Sequence, residues 1–218
     1  MKDPILRDEF ESRTGLKMPI SAFEVDRIVP LRDIVTVVEL KIMPEPYLEG
    51  LLRNVTLEGD ASIQPYKDAK IQHYRLDPTN LNVAQTFVER QKYQRLIEVV
   101  SDLFNGFHIN RGFAKCTALI VIGKTACGNL AVAHYLPPLV EMHTGQSCLI
   151  DGTHRNYLTA SIGTTIESII LSNVYEPPCQ FGCWKDVKIV SEKPPRNERY
   201  VNLNVGLFRN LGHCGIDG

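Results

Sequence analysis

The chain reads as an α+β protein: a small mixed β-sheet with packed helices, extended at both ends. Three stretches carry that expectation. Residues 147–171 run from an apolar strand through a Gly turn into a short helical pattern, a second Gly and a β-branched strand. Residues 69–104 run from a strand through a DPTN turn into a long helical pattern. Residues 117–122 and 130–136 are apolar strands separated by GKTACGN, whose Gly and Asn suit a hairpin.

From the N-terminus, residues 1–18 are charged, with Ile5, Leu6 and Phe10 forming an amphipathic patch, as in a short helix or an arm. Residues 27–43 alternate β-branched positions and read as one or two strands. Pro44 and Pro46 break that pattern, and Leu48, Leu51 and Leu52 then recur at helical spacing. The polar stretch 58–68 separates an N-terminal extension or small subdomain, 1–65, from a central domain, 66–175. In the central domain the apolar positions Phe87, Val88, Leu96, Val99, Val100, Leu103 and Phe104 predict a helix from about Ala84 to Phe104. The C-terminal extension, 176–218, holds one strand, Val187–Val190, then Pro194-Pro195, then a helix expected over Glu198–Arg209.

Composition narrows the function classes. The chain has 218 residues, 44% hydrophobic and 22% charged, with a formal net charge of −1. These values are ordinary for a soluble globular protein, and the charge gives no general argument for nucleic-acid binding. The longest apolar run, Ala118–Ile122, is far too short for a membrane span. MKDPILRDEFESR has no apolar core of a secretory signal, so a cytoplasmic location with reduced thiols is expected for the six cysteines. Cys179, Cys183, His213 and Cys214 are a poor zinc set, because adjacent His-Cys ligands are unusual. IGKTACG fails as a P-loop, since Ala118 stands where the motif needs Gly.

The chemistry concentrates at Asp151-Gly152-Thr153-His154-Arg155. A Gly turn after a strand lets a backbone approach a ligand, and free N–H groups at a helix start favour an anion. Arg155 adds a fork suited to phosphate oxygens and His154 a further donor. An ordinary turn with a helix cap is the competing reading. Asp151 either caps the helix or, at the mouth of the cradle, holds magnesium or orients an acceptor hydroxyl. Glu89 is a second carboxylate, which reaches the site only if the helix after it packs with its N-terminal end toward the turn. Of the two, Asp151 is expected first, because it adjoins Gly152. His73 and Arg75 share one face of the strand ending at Leu76, and add phosphate donors if that face looks into the cleft.

The order strand–GxHR–helix–Gly–strand, with Gly152, His154, Arg155 and Gly163, resembles the ParB/sulfiredoxin-like fold. LPPLVEMHTGQSCLIDG resembles that fold's upstream hairpin, and 69–104 its opening strand, loop and helix. The likeness covers roughly residues 69–173, and against it residues 106–134 look like an insertion. Sulfiredoxin activity is not implied, because Thr153 stands where those proteins place the reactive Cys. A full partition protein is not implied either, because no two-helix pattern follows the last strand. The nearest branch is that of free-serine kinases with a DGHHR-like motif. That resemblance implies a cytoplasmic phosphotransferase that uses ATP or ADP, with CTP as the alternative nucleotide, and Mg2+. Its acceptor would be a small hydroxyl-bearing metabolite. Gly152, Thr153, His154 and Arg155 would hold phosphates, with Asp151 and Glu89 as the carboxylates. The alternatives are a non-catalytic nucleotide switch near DNA and a ParB-like nuclease. A nuclease needs clustered carboxylates for metal, and no such cluster is visible in the sequence.

Overall fold

The computed structural model describes residues 4–20, 25–94 and 112–216. It is a mixed α+β protein with several small sheets and few helices. The chain divides into two compact units. The first comprises residues 1–67, 117–136 and 209–218, and the second residues 68–116 and 137–208.

The first unit is built on a five-stranded sheet. Its order is β1 (Ile5–Leu6), β2 (Arg27–Ile28), β9 (Leu130–Tyr135), β8 (Leu119–Thr125) and β3 (Ile34–Ile42). Helices Arg7–Thr14 and Glu45–Arg53 belong to this unit. The expected hairpin forms as β8 and β9, but it belongs with the N-terminal residues, pairing with β3 and β2. Residues 117–136 therefore complete an N-terminal sheet, where the family likeness suggested a simple insertion. Ile120, Val121, Ile122, Ala131, Val132 and Ala133 are all buried, so the two central strands are covered on both faces. That explains their continuous apolar sequence. Gly123 has a packing role: a Cβ there would lie 2.5 Å from the Thr36 carbonyl oxygen of β3. The glycine of IGKTACG thus serves the approach of a neighbouring strand.

The second unit carries a five-stranded sheet ordered β5 (Lys70–Leu76), β12 (Ile166–Ser172), β10 (Leu139–His143), β11 (Gln146–Asp151) and β6 (Asn82–Val83). Thr144 and Gly145 join β10 to β11 with φ values of 45° and 83°. Two consecutive positive φ angles match the twist of a tight hairpin. Helix Thr153–Ser161 follows β11, and its Leu158 packs with Phe113 and Ile166.

Two expected helices differ. The stretch from Ala84 does not begin as helix: β7 (Phe87–Glu89) is a strand, pairing in parallel with β13 (Lys188–Val190). Helical residues begin at 90 and continue to 94; the remainder of the predicted helix lies outside the described residues. Phe87 and Val88 are adjacent and both buried, as an aromatic and a β-branched residue in a covered strand can be. The C-terminal segment supplies the pairing that overrides helical spacing. The helix expected over Glu198–Arg209 is also absent. Short 3-10 turns at Arg196–Glu198 and Val205–Leu207 stand there, with bridges from Tyr200 to Gln85 and from Val201 to Gln180. Asn202 at φ 52° and the Asn204 side chain accepting from the Gly206 N–H favour turns over helix at these positions. Residues 176–208 are consequently part of the second unit's architecture.

Candidate functional site

β11 delivers Asp151 to the end of the strand, and Gly152 turns the chain at φ 92° as the helix N-cap. An alanine at Gly152 would place its Cβ 2.8 Å from the Pro138 Cβ in a left-handed conformation, so the turn excludes side chains. The first intrahelical bond is the Asn156 N–H to the Gly152 carbonyl, at 3.0 Å. The N–H groups of Thr153, His154 and Arg155 precede it and have no acceptor within the helix. The N-cap is a glycine, which has no side chain to cap the helix with.

Asp151 is instead an ion-pair partner. The Arg155 Nη2 donates to Asp151 Oδ2 at 3.0 Å, and the two side chains are 14% and 11% exposed. The pair spans one helical turn and fixes the guanidinium at the mouth of the Gly152 turn. A guanidinium carries five donors, so this bond is compatible with a second anion.

His154 and Glu89 are joined directly. The Glu89 backbone N–H donates to His154 Nε2 at 3.0 Å. That nitrogen is therefore the acceptor, and the ring's proton sits on Nδ1. Burial pushes the His154 pKa down to about 4, and the Lys92 ammonium adds to the effect, opposed by the Glu89 carboxylate. The imidazole is neutral at pH 7 and can offer a phosphate one N–H, not a charge. The Glu89 carboxylate is 15% exposed, with Lys92 Nζ 3.2 Å from Oε1. Oε1 is buried and makes no aligned hydrogen bond among the described residues. Glu89, Lys92, His154 and Arg155 thus gather about one helix start, on a strand, a helix beginning and a Gly turn.

His73 and Arg75 are not brought to that turn. β5 lies three strands from β11 in the sheet order, roughly 14 Å away at ordinary strand spacing. The Arg75 Nε donates to the Ala114 carbonyl at 2.8 Å. Sequence reading also passed over Lys193, whose charge opposes protonation of His154 and which follows β13 closely. Its signal was concealed in a tail read as an extension. An aromatic series flanks the helix: Tyr93 and Tyr157 meet edge to face at 5.8 Å, and Tyr157 and Trp184 tilt at 6.2 Å. Cys179 and Cys183 belong to the second unit, and His213 and Cys214 to the first. No cluster of three His, Cys, Asp or Glu side chains suited to a metal occurs among the described residues.

The buried histidines give a pH prediction. Burial also pushes His134, in the first unit beside the Tyr47 hydroxyl at 3.1 Å, down to about 4. An unfolded histidine titrates near 6.5, so between about pH 6.5 and 4 the unfolded chain binds more protons than the folded one. Stability is then fully present above pH 6.5 and falls as the pH drops toward 4, each unit of difference being worth about 1.4 kcal/mol. Urea unfolding across that range should show the loss, and His154→Gln should flatten part of the slope. A profile unchanged by that substitution would mean His154 is solvated.

No helix among the described residues is long and apolar enough to cross a membrane. No family model, curated protein or solved structure matches the chain.

Proposed function

We propose that the second unit is a ParB/sulfiredoxin-like domain that binds a nucleotide polyphosphate at residues 152–155 and transfers phosphate to a small hydroxyl-bearing molecule. The observation that carries this reading is the hydrogen bond from the Glu89 N–H to His154, which holds a carboxylate against the Gly turn. An ordinary turn has no need of a buried acid beside it. Thr153, His154 and Arg155 would cradle phosphate through main-chain N–H groups, with the Arg155 fork and Lys92 neutralising its charge.

The carboxylates divide into two roles. Asp151 is engaged with Arg155 and orients it. Glu89, with a buried Oε1 lacking an aligned hydrogen bond, is the better acceptor for a proton from the attacking hydroxyl. This reverses the order expected from adjacency to Gly152. Magnesium fits as a companion of the nucleotide: such ions bind through one or two carboxylates plus substrate phosphates, without a dedicated protein cage. It would supply charge neutralisation on the phosphates, with Glu89 and Asp151 as the carboxylates that could hold it.

The test is thermal unfolding with ATP, ADP and CTP, each with magnesium, followed by an assay for phosphate transfer to hydroxyl-bearing metabolites. A nucleotide at 100 times its Kd should stabilise the fold by about 2.7 kcal/mol. Stabilisation without transfer to any acceptor would favour the non-catalytic switch. No stabilisation by any nucleotide would remove both readings.

A further inference from the structure

The first unit ends its five-stranded sheet on an unusual edge. β3 is nine residues long, IVTVVELKI, and has β8 on one side and no strand on the other among the described residues. Edge strands are commonly kept short, broken by Pro, bent by β-bulges or lined with charge, because an open row of N–H and C=O groups templates pairing with another chain; β3 carries two irregularities and the charges of Glu39 and Lys41. β3 has no Pro and presents Val38, Leu40 and Ile42 at 58%, 39% and 74% exposure. Its irregularities lie between Ile34 and Thr36 and between Val37 and Glu39, and residues 39–42 pair with β8 in unbroken register. The half of the strand nearest Ile42 is therefore straight enough to accept a neighbour.

We infer that this edge pairs two copies of the chain, antiparallel and about a two-fold axis at Leu40. The order of side chains in Glu39-Leu40-Lys41-Ile42, which reads acidic, apolar, basic, apolar along the regular stretch, supports this pairing. Antiparallel pairing centred on Leu40 sets Glu39 of each copy opposite Lys41 of the other, twice by symmetry. It also sets Leu40 opposite itself, within the regular residues 39–42; Val38, at the β-bulge, lies outside that stretch. Cross-strand opposite charges and apolar pairs are the stabilising units of a sheet, and like charges directly opposite are destabilising. Other registers fail on that rule. Centring on Glu39 or on Lys41 opposes like charges. Centring on Val38 sets Glu39 against Val37 and Lys41 against Val35. Parallel in-register pairing sets each charge against its own kind. Within one copy Glu39 and Lys41 are 3.5 Å apart and only partly exposed, so a partner strand would exchange this pair for two pairs across the edge. A two-fold interface of this kind is isologous and closes at a dimer. A short edge alone buries less than the roughly 1,600 Å² of a standard stable interface, so the dimer should be in concentration-dependent equilibrium.

Sedimentation velocity over a dilution series of the full chain tests this. Wild type should pass from monomer to dimer as concentration rises. Glu39→Lys and Lys41→Glu should each weaken the dimer by about tenfold or more, because two attractive pairs become repulsive. The charge exchange, Glu39→Lys with Lys41→Glu, should restore it. These positions are on the surface, and circular dichroism melts should show each variant folded. A wild-type monomer at every concentration, a dimer indifferent to the single substitutions, or an exchange that fails to restore association would each overturn the inference.

Discussion

Arg155→Ala is expected to weaken nucleotide binding and destabilise the second unit together, in amounts that a second substitution separates. The affinity loss comes from a charge-assisted phosphate contact and should be about 1.5–3 kcal/mol. The stability loss comes from Asp151, whose carboxylate is 11% exposed and would lose the guanidinium 3.0 Å away. Leaving a fully buried charge unpaired costs about 3–5 kcal/mol, and the partial exposure of this pair brings the figure down to about 1–3 kcal/mol. Asp151→Asn combined with Arg155→Ala removes that carboxylate charge as well. The double variant should regain much of the stability and none of the affinity. Chemical denaturation and calorimetric titration read the two quantities separately. If affinity is unchanged in Arg155→Ala, the guanidinium serves the fold alone, and the phosphate site loses its main side chain.

Glu89→Gln is expected to abolish turnover while sparing nucleotide binding. The substitution keeps the shape of the side chain and leaves the main-chain N–H that bonds His154 at 3.0 Å. It removes the charge that would accept the proton of the attacking hydroxyl. General-base groups contribute typically 10²–10⁴-fold, so kcat should fall by about that range with the nucleotide Kd within a few-fold. Loss of the Lys92 contact should cost little stability, because the Lys92 side chain is 44% exposed. Asp151→Asn gives the contrasting result: a lower Tm with phosphate transfer retained wherever the fold survives. If Glu89→Gln turns over normally and Asp151→Asn does not, the two carboxylates have been assigned the wrong way round.

The comparison of sequence and structure divides by the range of the interactions involved. The strand–Gly–helix at 146–161 was legible because its signals are local. An apolar strand, a Gly that must take positive φ and a short apolar helical spacing act within a few residues. The hairpin of β10 and β11 was anticipated from the family resemblance, and its turn residues Thr144 and Gly145 have positive φ. What the sequence concealed was pairing between distant segments. Phe87 and Val88 fit a helical stripe, yet the backbone of residues 188–190 arrives from a hundred residues away and makes them a strand. The same encounter fixes Glu89 beside His154, so the best feature of the site came from a contact that spacing cannot encode. Adjacency in sequence places Asp151 beside the Gly turn, and it does not record the ion pair with Arg155 one helical turn further on. His73 and Arg75 do share a strand, but sheet order sets that strand far from the turn. The grouping of 117–136 with the N-terminal strands likewise depends on sheet order, which no local pattern records.

In the proposed function, nucleotide phosphate sits on the N–H groups that open helix Thr153–Ser161. Amide proton–nitrogen correlation spectra, recorded while the protein is titrated with magnesium and ATP, ADP or CTP, test it most directly. The amides of Thr153, His154 and Arg155 should move most, Glu89 should move with them through its bond to His154, and His73 and Arg75 should stay in place. A saturating nucleotide that shifts other amides and leaves residues 153–155 unmoved would contradict it.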